Sequence, residues 1–331
     1  MPTIKDIAAI LNISTGTVSK GLNDASDISE DLRNKILETA ISIGYTSKRM
    51  RKIENRTLCI FIRNMDYSTT NQFGYEVILG FKQLAIPGEF HVDIVNVTQE
   101  LLANETYDTY MMKHGYLGGF FIGFTLEDTW IQQLSLTKVP TVLLDNEEPL
   151  NPKVTYLGTD NVAAFNQAIA HFYSLGHTQI AFINGDEHSM VSNKRAFAFQ
   201  QAMTSYNLPT FPDQVVYGNY SQEGAKTFIP AFIKKGVTGV ICGSDIMAMG
   251  IISEYKRLGY DIPQDISVIG FDDLPLSAHL SPPLTSIKQD RGNLGKLAYT
   301  TLLSLMNNVQ ISQTLLRPTF VIRASTGDCP I

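Results

Sequence analysis

The alternation of apolar and polar positions changes character twice along the chain. In the first 45 residues, apolar residues recur every three or four positions, as on the buried side of short helices. From Leu58 onward, short continuous apolar runs alternate with helix-length segments, as in βα units around a buried parallel sheet. Residues 46–57, between these regions, are polar and basic. The pattern predicts a small helical domain, a linker and a larger α/β core.

Residues 3–23 predict two short helices joined by a tight turn. Thr3 and Asp6 have the spacing of a capping box, Asn12 suits a left-handed turn, and Ser14 is placed to cap the second helix. Small hydroxyl side chains and Lys20 then face outward, which suits contact between a helix and the DNA major groove. A solvated helical hairpin is the alternative interpretation. A third predicted helix, beginning after Ser29, completes a domain over residues 1–45.

The core is too long for one parallel sheet, so two α/β lobes are predicted. Because parallel sheets bind ligands beyond the carboxyl ends of their strands, polar residues at those ends are candidate contacts for sugar hydroxyls. The candidates are Asp145, Asp160, Asp245 and Asp272, with Arg195 as a guanidinium donor and Phe73 as an aromatic for stacking on a ring. Taken singly, each aspartate is explained as well or better by a helix N-cap.

The charge distribution changes the interpretation of an acidic protein. The net charge is −6, but residues 48–56 alone carry +4, placing basic charge next to the predicted DNA-contacting helices. The three cysteines lack any metal-ligand spacing and are expected to be reduced thiols. No apolar run approaches the length of a membrane span and the chain begins with a polar helix, so a cytoplasmic protein without membrane contact is expected.

Several motifs resemble the LacI/GalR family of bacterial transcription regulators. The N-terminal motifs are Thr3-Ile4-Lys5-Asp6-Ile7-Ala8, Ser14-x-x-Thr17-Val18-Ser19-Lys20-x-Leu22-Asn23 and Gly44-Tyr45. Core motifs follow in the family's order, among them Leu175-Gly176-His177, Ser192-x-x-Arg195-x-x-x-Phe199, Ser244-Asp245-x-Met247-Ala248-x-Gly250, Gly270-Phe271-Asp272-Asp273 and Pro282-Pro283-Leu284-Thr285-Ser286-Ile287-x-Gln289. The resemblance spans nearly the whole chain.

This resemblance implies a helix-turn-helix headpiece and a periplasmic-binding-protein-like core of two doubly wound lobes joined by three crossovers. It implies that Thr15, Gly16 and Lys20 read bases, that Asp145, Arg195, Asp245 and Asp272 bind an effector, and that Phe73 lies on the first-lobe wall. The predicted DNA contacts are Thr3, Ser14, Thr15, Gly16, Thr17, Ser19, Lys20, Asn23, Lys48, Arg49, Arg51 and Lys52.

The linker departs from the family pattern. Ser47 and Lys48 stand where the family usually has a Pro-Asn pair, and Glu54 stands about where a leucine wedges into the minor groove. Met50 or Ile53 are the possible replacements for that wedge. Phosphate contact by the basic run is expected, with a solvated linker as the alternative, and insertion into the minor groove is left open.

The predicted domains are a headpiece (1–45), a basic hinge (46–57) and an effector-binding core (58–331). Lobe 1 is expected over about 58–157 and 290–319, and lobe 2 over about 158–289 and 320–331. The predicted function is a sugar-responsive repressor of carbohydrate genes that binds operator DNA as a homodimer, without cofactor, metal or catalytic residues. The alternatives are a sugar-binding module without regulatory DNA binding and a regulator with a phosphorylated carrier protein as corepressor. His177 is interpreted as a capping or packing residue.

Overall fold

Three short helices at the N-terminus pack around a small apolar cluster. They are α1 (Ile4–Leu11), α2 (Thr15–Leu22) and α3 (Glu30–Ser42). Ile7, Val18 and Ile36 are fully buried at their centre. Helix α2 crosses α3 so closely that a Cβ atom at Gly21 would lie 2.6 Å from Cδ1 of Ile36. The computed structural model describes residues 2–23, 25, 27–43, 45, 56–146 and 150–330.

The local signals at these helix ends act as predicted. The carboxylate of Asp6 accepts hydrogen bonds from the N–H (2.6 Å) and hydroxyl (2.8 Å) of Thr3. Asn12 has a left-handed backbone with φ of 52°, and the hydroxyl of Ser14 accepts the N–H of Thr17 at 3.0 Å. The turn and both helix starts are therefore encoded by residues within a few positions of each other.

The rest of the chain is an alternation of strands and helices. The strands are β1 (Thr57–Ile62), β2 (His91–Asn96), β3 (Gly119–Ile122), β4 (Thr141–Leu144), β5 (Val154–Thr159), β6 (Ile180–Asn184), β7 (Val215–Tyr217), β8 (Gly239–Cys242), β9 (Ser267–Asp272), β10 (Thr285–Lys288), β11 (Gln313–Leu316) and β12 (Thr319–Val321). The helices are α4 (Phe73–Ala85), α5 (Gln99–Asn104), α6 (Tyr107–His114), α7 (Thr129–Gln133), α8 (Asn161–Ser174), α9 (Met190–Ser205), α10 (Gln222–Lys226), α11 (Ile229–Lys234), α12 (Asp245–Arg257) and α13 (Arg291–Met306), with a 3-10 helix over Pro275–His279.

The strands form two sheets with matching topology. One has the order β11-β5-β4-β3-β1-β2 and the other the order β12-β10-β9-β8-β6-β7. Strand β1 pairs in parallel with both β2 and β3, and β8 pairs in parallel with both β6 and β9. Strand β12 is antiparallel to β10. This arrangement confirms the two doubly wound parallel sheets predicted from the sequence.

The chain divides into two compact units. The first comprises residues 1–64, 81–156 and 296–313, and the second comprises residues 65–80, 157–295 and 314–331. The first unit has an aromatic core in which Phe61 contacts Trp130 edge-on with ring centroids 5.4 Å apart. In the second unit, Phe165 and Phe182 pack edge-on at 4.8 Å. Each sheet is thus buried by helices through its own aromatic cluster.

His177 packs inside the second unit. It is fully buried, and its ring nitrogens lie 2.9 Å from the Thr238 hydroxyl, 3.1 Å from the Ser267 hydroxyl and 3.0 Å from the Gly327 carbonyl. Burial lowers the pKa of His177. This confirms the interpretation of His177 as a packing residue, which joins the starts of two strands to the C-terminal segment.

Two details differ from the predicted elements. The segment 221–235, predicted as one helix, is two helices, because Pro230 cannot donate a backbone hydrogen bond and lies in the first turn of α11. The three-residue strands β7 and β12 were not predicted, since neither has a buried apolar run. Among the described residues, no helix has the length and apolar character needed to cross a bilayer.

Candidate functional site

The outward face of α2 presents the side chains predicted to read DNA. Thr15, Gly16 and Lys20 are exposed, and Thr17 and Ser19 are half-buried. The other predicted headpiece contacts, Thr3, Ser14 and Asn23, are also exposed. Apart from the caps at both ends of the helix, these groups point to solvent, as a surface that docks in a groove requires.

Lys20 has a partner in the headpiece. Its ammonium forms an ion pair with the carboxylate of Asp27, and both side chains are 56% exposed. The hydrogen bond from Lys20 lowers the pKa of Asp27. Because exposed ion pairs contribute little free energy, this contact leaves Lys20 able to exchange Asp27 for a phosphate or a base edge.

The basic linker is mostly outside the described residues. The predicted contacts Lys48, Arg49, Arg51 and Lys52 lie there, as do the possible wedge residues Met50 and Ile53. Arg56 is described, and its guanidinium lies over the ring of Phe90 at 4.1 Å.

Within the second unit, Arg195 is the most firmly held of the predicted effector contacts. It is 3% exposed, and its guanidinium stacks on the ring of Phe271 at 3.9 Å. Nη1 donates to the carbonyl of Gly243 at 2.9 Å and Nε donates to Oδ1 of Asn161 at 3.3 Å. No hydrogen bond of Nη2 occurs within the described part of the chain. Arg195 therefore holds a positive charge and a donor at the ends of β8 and β9.

Asp272 is fixed at the end of β9 by a chain of buried side chains. Its Oδ1 accepts the amide N–H of Gln289 at 2.7 Å, and Oε1 of Gln289 accepts the hydroxyl of Thr159 at 2.6 Å. Asp272 also has a positive φ of 104°, a conformation that costs free energy in a residue other than glycine and concentrates at functional sites. The carboxylate is thereby held in one orientation.

Asp245 has a different environment from the one predicted. It is fully buried, and its carboxylate accepts the Leu274 N–H, the Ser277 hydroxyl and the Ser286 hydroxyl, each at 2.6 Å. Burial, and then the charge of Asp272, raise the pKa of Asp245 to about 7. Because its oxygens are already engaged, Asp245 supports the loop after β9, beside Asp272, and enters our proposal in that role.

The remaining predicted residues are placed separately. Asp160 caps α8 by accepting the N–H of Ala163 at 3.0 Å, as the capping interpretation predicts. Phe73 begins α4 in the segment that groups with the second unit, not the first. Asp145 follows β4 in the first unit with φ of 57°, and the Tyr156 hydroxyl donates to it at 3.5 Å.

Tyr220 is a candidate contact that the sequence did not indicate. Its ring lies over Gly185, where a Cβ atom would be only 1.9 Å from Cζ of the tyrosine. The hydroxyl is 3.5 Å from Oγ of Ser192, and the residue is 37% exposed. Tyr220 and Asn219 both have positive φ. The available signal was a glycine directly after a buried strand, at Gly185, which allows an aromatic ring to approach the backbone.

Comparisons with known proteins agree with this architecture. A model of bacterial regulatory proteins of the lacI family matches residues 3–48, and a model of the periplasmic binding protein-like domain matches residues 169–326. The transcriptional repressor CytR of Escherichia coli is 27% identical over 337 residues, covering 99% of this chain and 97% of CytR. The repressor PurR of Photobacterium profundum is 28% identical over 337 residues, with 99% of each chain covered.

Solved structures share the fold. A complex of the transcriptional regulator CelR with cellobiose has a TM-score of 0.73 at 20% identity, covering 98% of this chain and 100% of that chain. The Lac repressor dimer bound to operator and the anti-inducer ONPF has a TM-score of 0.69 at 22% identity, covering 98% and 99%.

A helix-turn-helix headpiece joined to two parallel-sheet units of the periplasmic-binding type defines a class of DNA-binding regulators that respond to ligands. The chain belongs to the LacI family of bacterial transcription regulators. This confirms the resemblance seen in the sequence, and with it the prediction of a DNA-binding regulator in place of an enzyme.

Proposed function

We propose that this regulator represses genes of carbohydrate uptake or breakdown by binding an operator as a homodimer. A small polyhydroxylated effector, bound at the strand ends of the second unit, sets the operator affinity. The observation that carries this proposal is the pairing of two fixed groups of opposite charge at one edge of a sheet, Arg195 and Asp272.

The chemistry of that edge suits a sugar. A carboxylate accepts hydrogen bonds from hydroxyl groups, and a guanidinium donates to hydroxyl or ring oxygens. Asp272 and Arg195 are held by Gln289 and Phe271 before any ligand arrives, so little side-chain entropy is lost on binding. The half-exposed ring of Tyr220 supplies an apolar face for a sugar ring. The CelR complex supports the effector class, since CelR binds cellobiose.

The headpiece supplies the DNA half of the proposal. A single headpiece buries little surface on DNA, whereas a dimer matches the two half-sites of a palindromic operator. We expect Lys20 to contact the major groove, and the basic residues 48–56 to contact phosphates, so operator affinity falls steeply with salt.

Coupling between the two functions follows from differential binding. An effector that binds one conformation of the core better than another shifts the population toward that conformation, and the operator affinity of the dimer shifts with it. Asp145 of the first unit is our candidate for the contact that makes the effector sensitive to both lobes.

The test is a pair of variants that separate the two functions. Lys20→Ala is expected to weaken operator binding at least tenfold and to leave effector binding unchanged. Asp272→Asn is expected to retain operator binding and to lose the effector response. Operator binding is measured by fluorescence anisotropy and effector binding by calorimetry, with the exposed α3 residue Lys35→Ala as the control. Equal loss of both activities in either variant contradicts the division of labour, and effector binding without any operator retention favours a plain sugar-binding module.

A further inference from the structure

Arg291 lies next to the fixed carboxylate of Asp272 in the chain of contacts. It is the first residue of α13, and its backbone N–H donates to the carbonyl of Gln289 at 2.9 Å. Gln289 in turn holds Asp272 through its side-chain amide. Arg291 is therefore one step from the proposed effector site, within the second unit.

The guanidinium of Arg291 is buried but largely unpaired. Its side chain is 4% exposed, and Nη2 lies 3.2 Å from Oε2 of Glu76. Nε and Nη1 are enclosed, and the described residues offer them no hydrogen-bond acceptor. Buried polar groups are nearly always paired, so two unpaired N–H groups on a buried cation point to an acceptor that arrives with a ligand.

Glu76 is a weak partner for this arginine. It lies in the first turn of α4, and its side chain is 39% exposed. Helices α4 and α13 meet closely here, since a Cβ atom at Gly80 would lie 2.0 Å from the carbonyl oxygen of Gly292. The contact between Glu76 and Arg291 is thus a single-point ion pair with one side open to solvent.

We propose that the effector of this regulator is an acidic sugar whose carboxylate replaces Glu76 on Arg291. This inference rests on the proposed function. Nε and Nη2 lie on the same edge of a planar guanidinium, so a ligand carboxylate at that edge forms two parallel hydrogen bonds where Glu76 forms one. The hydroxyl groups of the same molecule then face Asp272 and Arg195.

The surrounding charges favour a carboxylate over a phosphate. Glu76 and Asp272 both lie near the edge of Arg291 that the ligand would take, and a phosphate with nearly two negative charges is repelled by them more than a carboxylate with one. A neutral sugar, in contrast, offers no charged acceptor and leaves the positive charge of Arg291 with Glu76 alone.

The experiment compares matched pairs of ligands on the full-length protein. Galacturonate and galactose, and glucuronate and glucose, are titrated by calorimetry and thermal shift, with glucose 6-phosphate as the phosphorylated arm. We expect at least one acid to bind tenfold or more tightly than its neutral parent. Arg291→Gln is expected to abolish that preference, and Glu76→Gln to preserve or strengthen it because the competing carboxylate is removed. Arg257→Gln, which breaks an exposed Arg–Glu pair, is the matched control.

The outcomes distinguish this inference from a purely structural ion pair. If Arg291 only clamps α13 to α4, Arg291→Gln and Glu76→Gln lower the melting temperature alike and leave the acid-to-neutral ratio unchanged. Arg291→Lys, which keeps the charge but not the two-point geometry, tests the same ratio if Arg291→Gln fails to fold. Preference for a neutral sugar or for the phosphate overturns the acidic-sugar inference alone. Absence of binding by any sugar overturns the effector half of the proposed function as well, while operator binding reports on the DNA half.

Discussion

The carboxyl of Asp245 is predicted to make the stability of the second unit depend on pH. It is fully buried and accepts three hydrogen bonds from the loops that follow β9. Burial and the charge of Asp272 raise its pKa from 3.8 to about 7. Asp245→Asn keeps the shape of the side chain, provides donors and an acceptor for the same partners, and removes the titration.

The sign and magnitude follow from the shift. Because the folded-state pKa lies above the unfolded value, the stability contributed by the protonated carboxyl is fully present below about pH 4. It is lost as the pH rises through about 7. From about pH 5 to about pH 7 the loss is roughly two pH units, or about 2.7 kcal/mol. The free energy of unfolding of Asp245→Asn, minus that of the wild type, is therefore expected to rise by about that amount between pH 5 and pH 8.

The assay is urea unfolding followed by far-ultraviolet circular dichroism at pH 5, 6, 7 and 8. Fluorescence of the single tryptophan is unsuitable, since Trp130 lies in the first unit. Buried His171 and His177, whose pKa values are lowered by burial, oppose Asp245 in the wild type, but their contributions cancel in the difference. Ser277→Ala, which removes one donor but not the titration, is the control and should keep the wild-type pH profile. A difference that stays constant across the range refutes the reasoning.

Three further predictions test the headpiece, the core and the strand-end site. Lys20→Ala should reduce the slope of operator affinity against salt by about one unit when the anisotropy titration is repeated at several salt concentrations, because one phosphate contact is lost; an unchanged slope with lower affinity would indicate a base contact instead. His177→Ala should lower the free energy of unfolding by about 2–4 kcal/mol in urea, since it removes a buried ring and leaves the Thr238 hydroxyl unpaired; a change below about 1 kcal/mol would contradict its packing role. Gly185→Ala should weaken effector binding at least tenfold in calorimetry without affecting operator binding, because the added methyl group displaces the ring of Tyr220; normal affinity would remove Tyr220 from the site.

The helix-turn-helix could be predicted from the sequence because its signals are local. The bonds between Thr3 and Asp6, the left-handed Asn12 and the cap at Ser14 each join residues at most three positions apart or depend on one residue alone. The buried parallel strands were equally legible, since a strand covered on both faces, such as β1, is a continuous apolar run.

Strand-end chemistry could be predicted only in part. The carboxylates after the strands are visible in the sequence, and parallel topology places strand ends at one edge. Which of them caps a helix, which is buried in support and which is presented could not be assigned. Asp160, Asp245 and Asp272 look alike in sequence, yet one caps α8, one accepts three hydrogen bonds inside the protein, and one is held by Gln289 from seventeen residues away.

The sequence by itself determined the fold class, the DNA-reading helix and the family, because helix caps, apolar periodicity and motif spacing are properties of neighbouring residues. Only the tertiary structure decided the roles of Asp245, Tyr220 and Arg291. Each role depends on partners that are distant in the chain: the hydroxyls of Ser277 and Ser286, the open backbone of Gly185, and the lone carboxylate of Glu76. Burial and hydrogen-bond pairing arise when separate segments pack, and they set the charge and availability of a side chain.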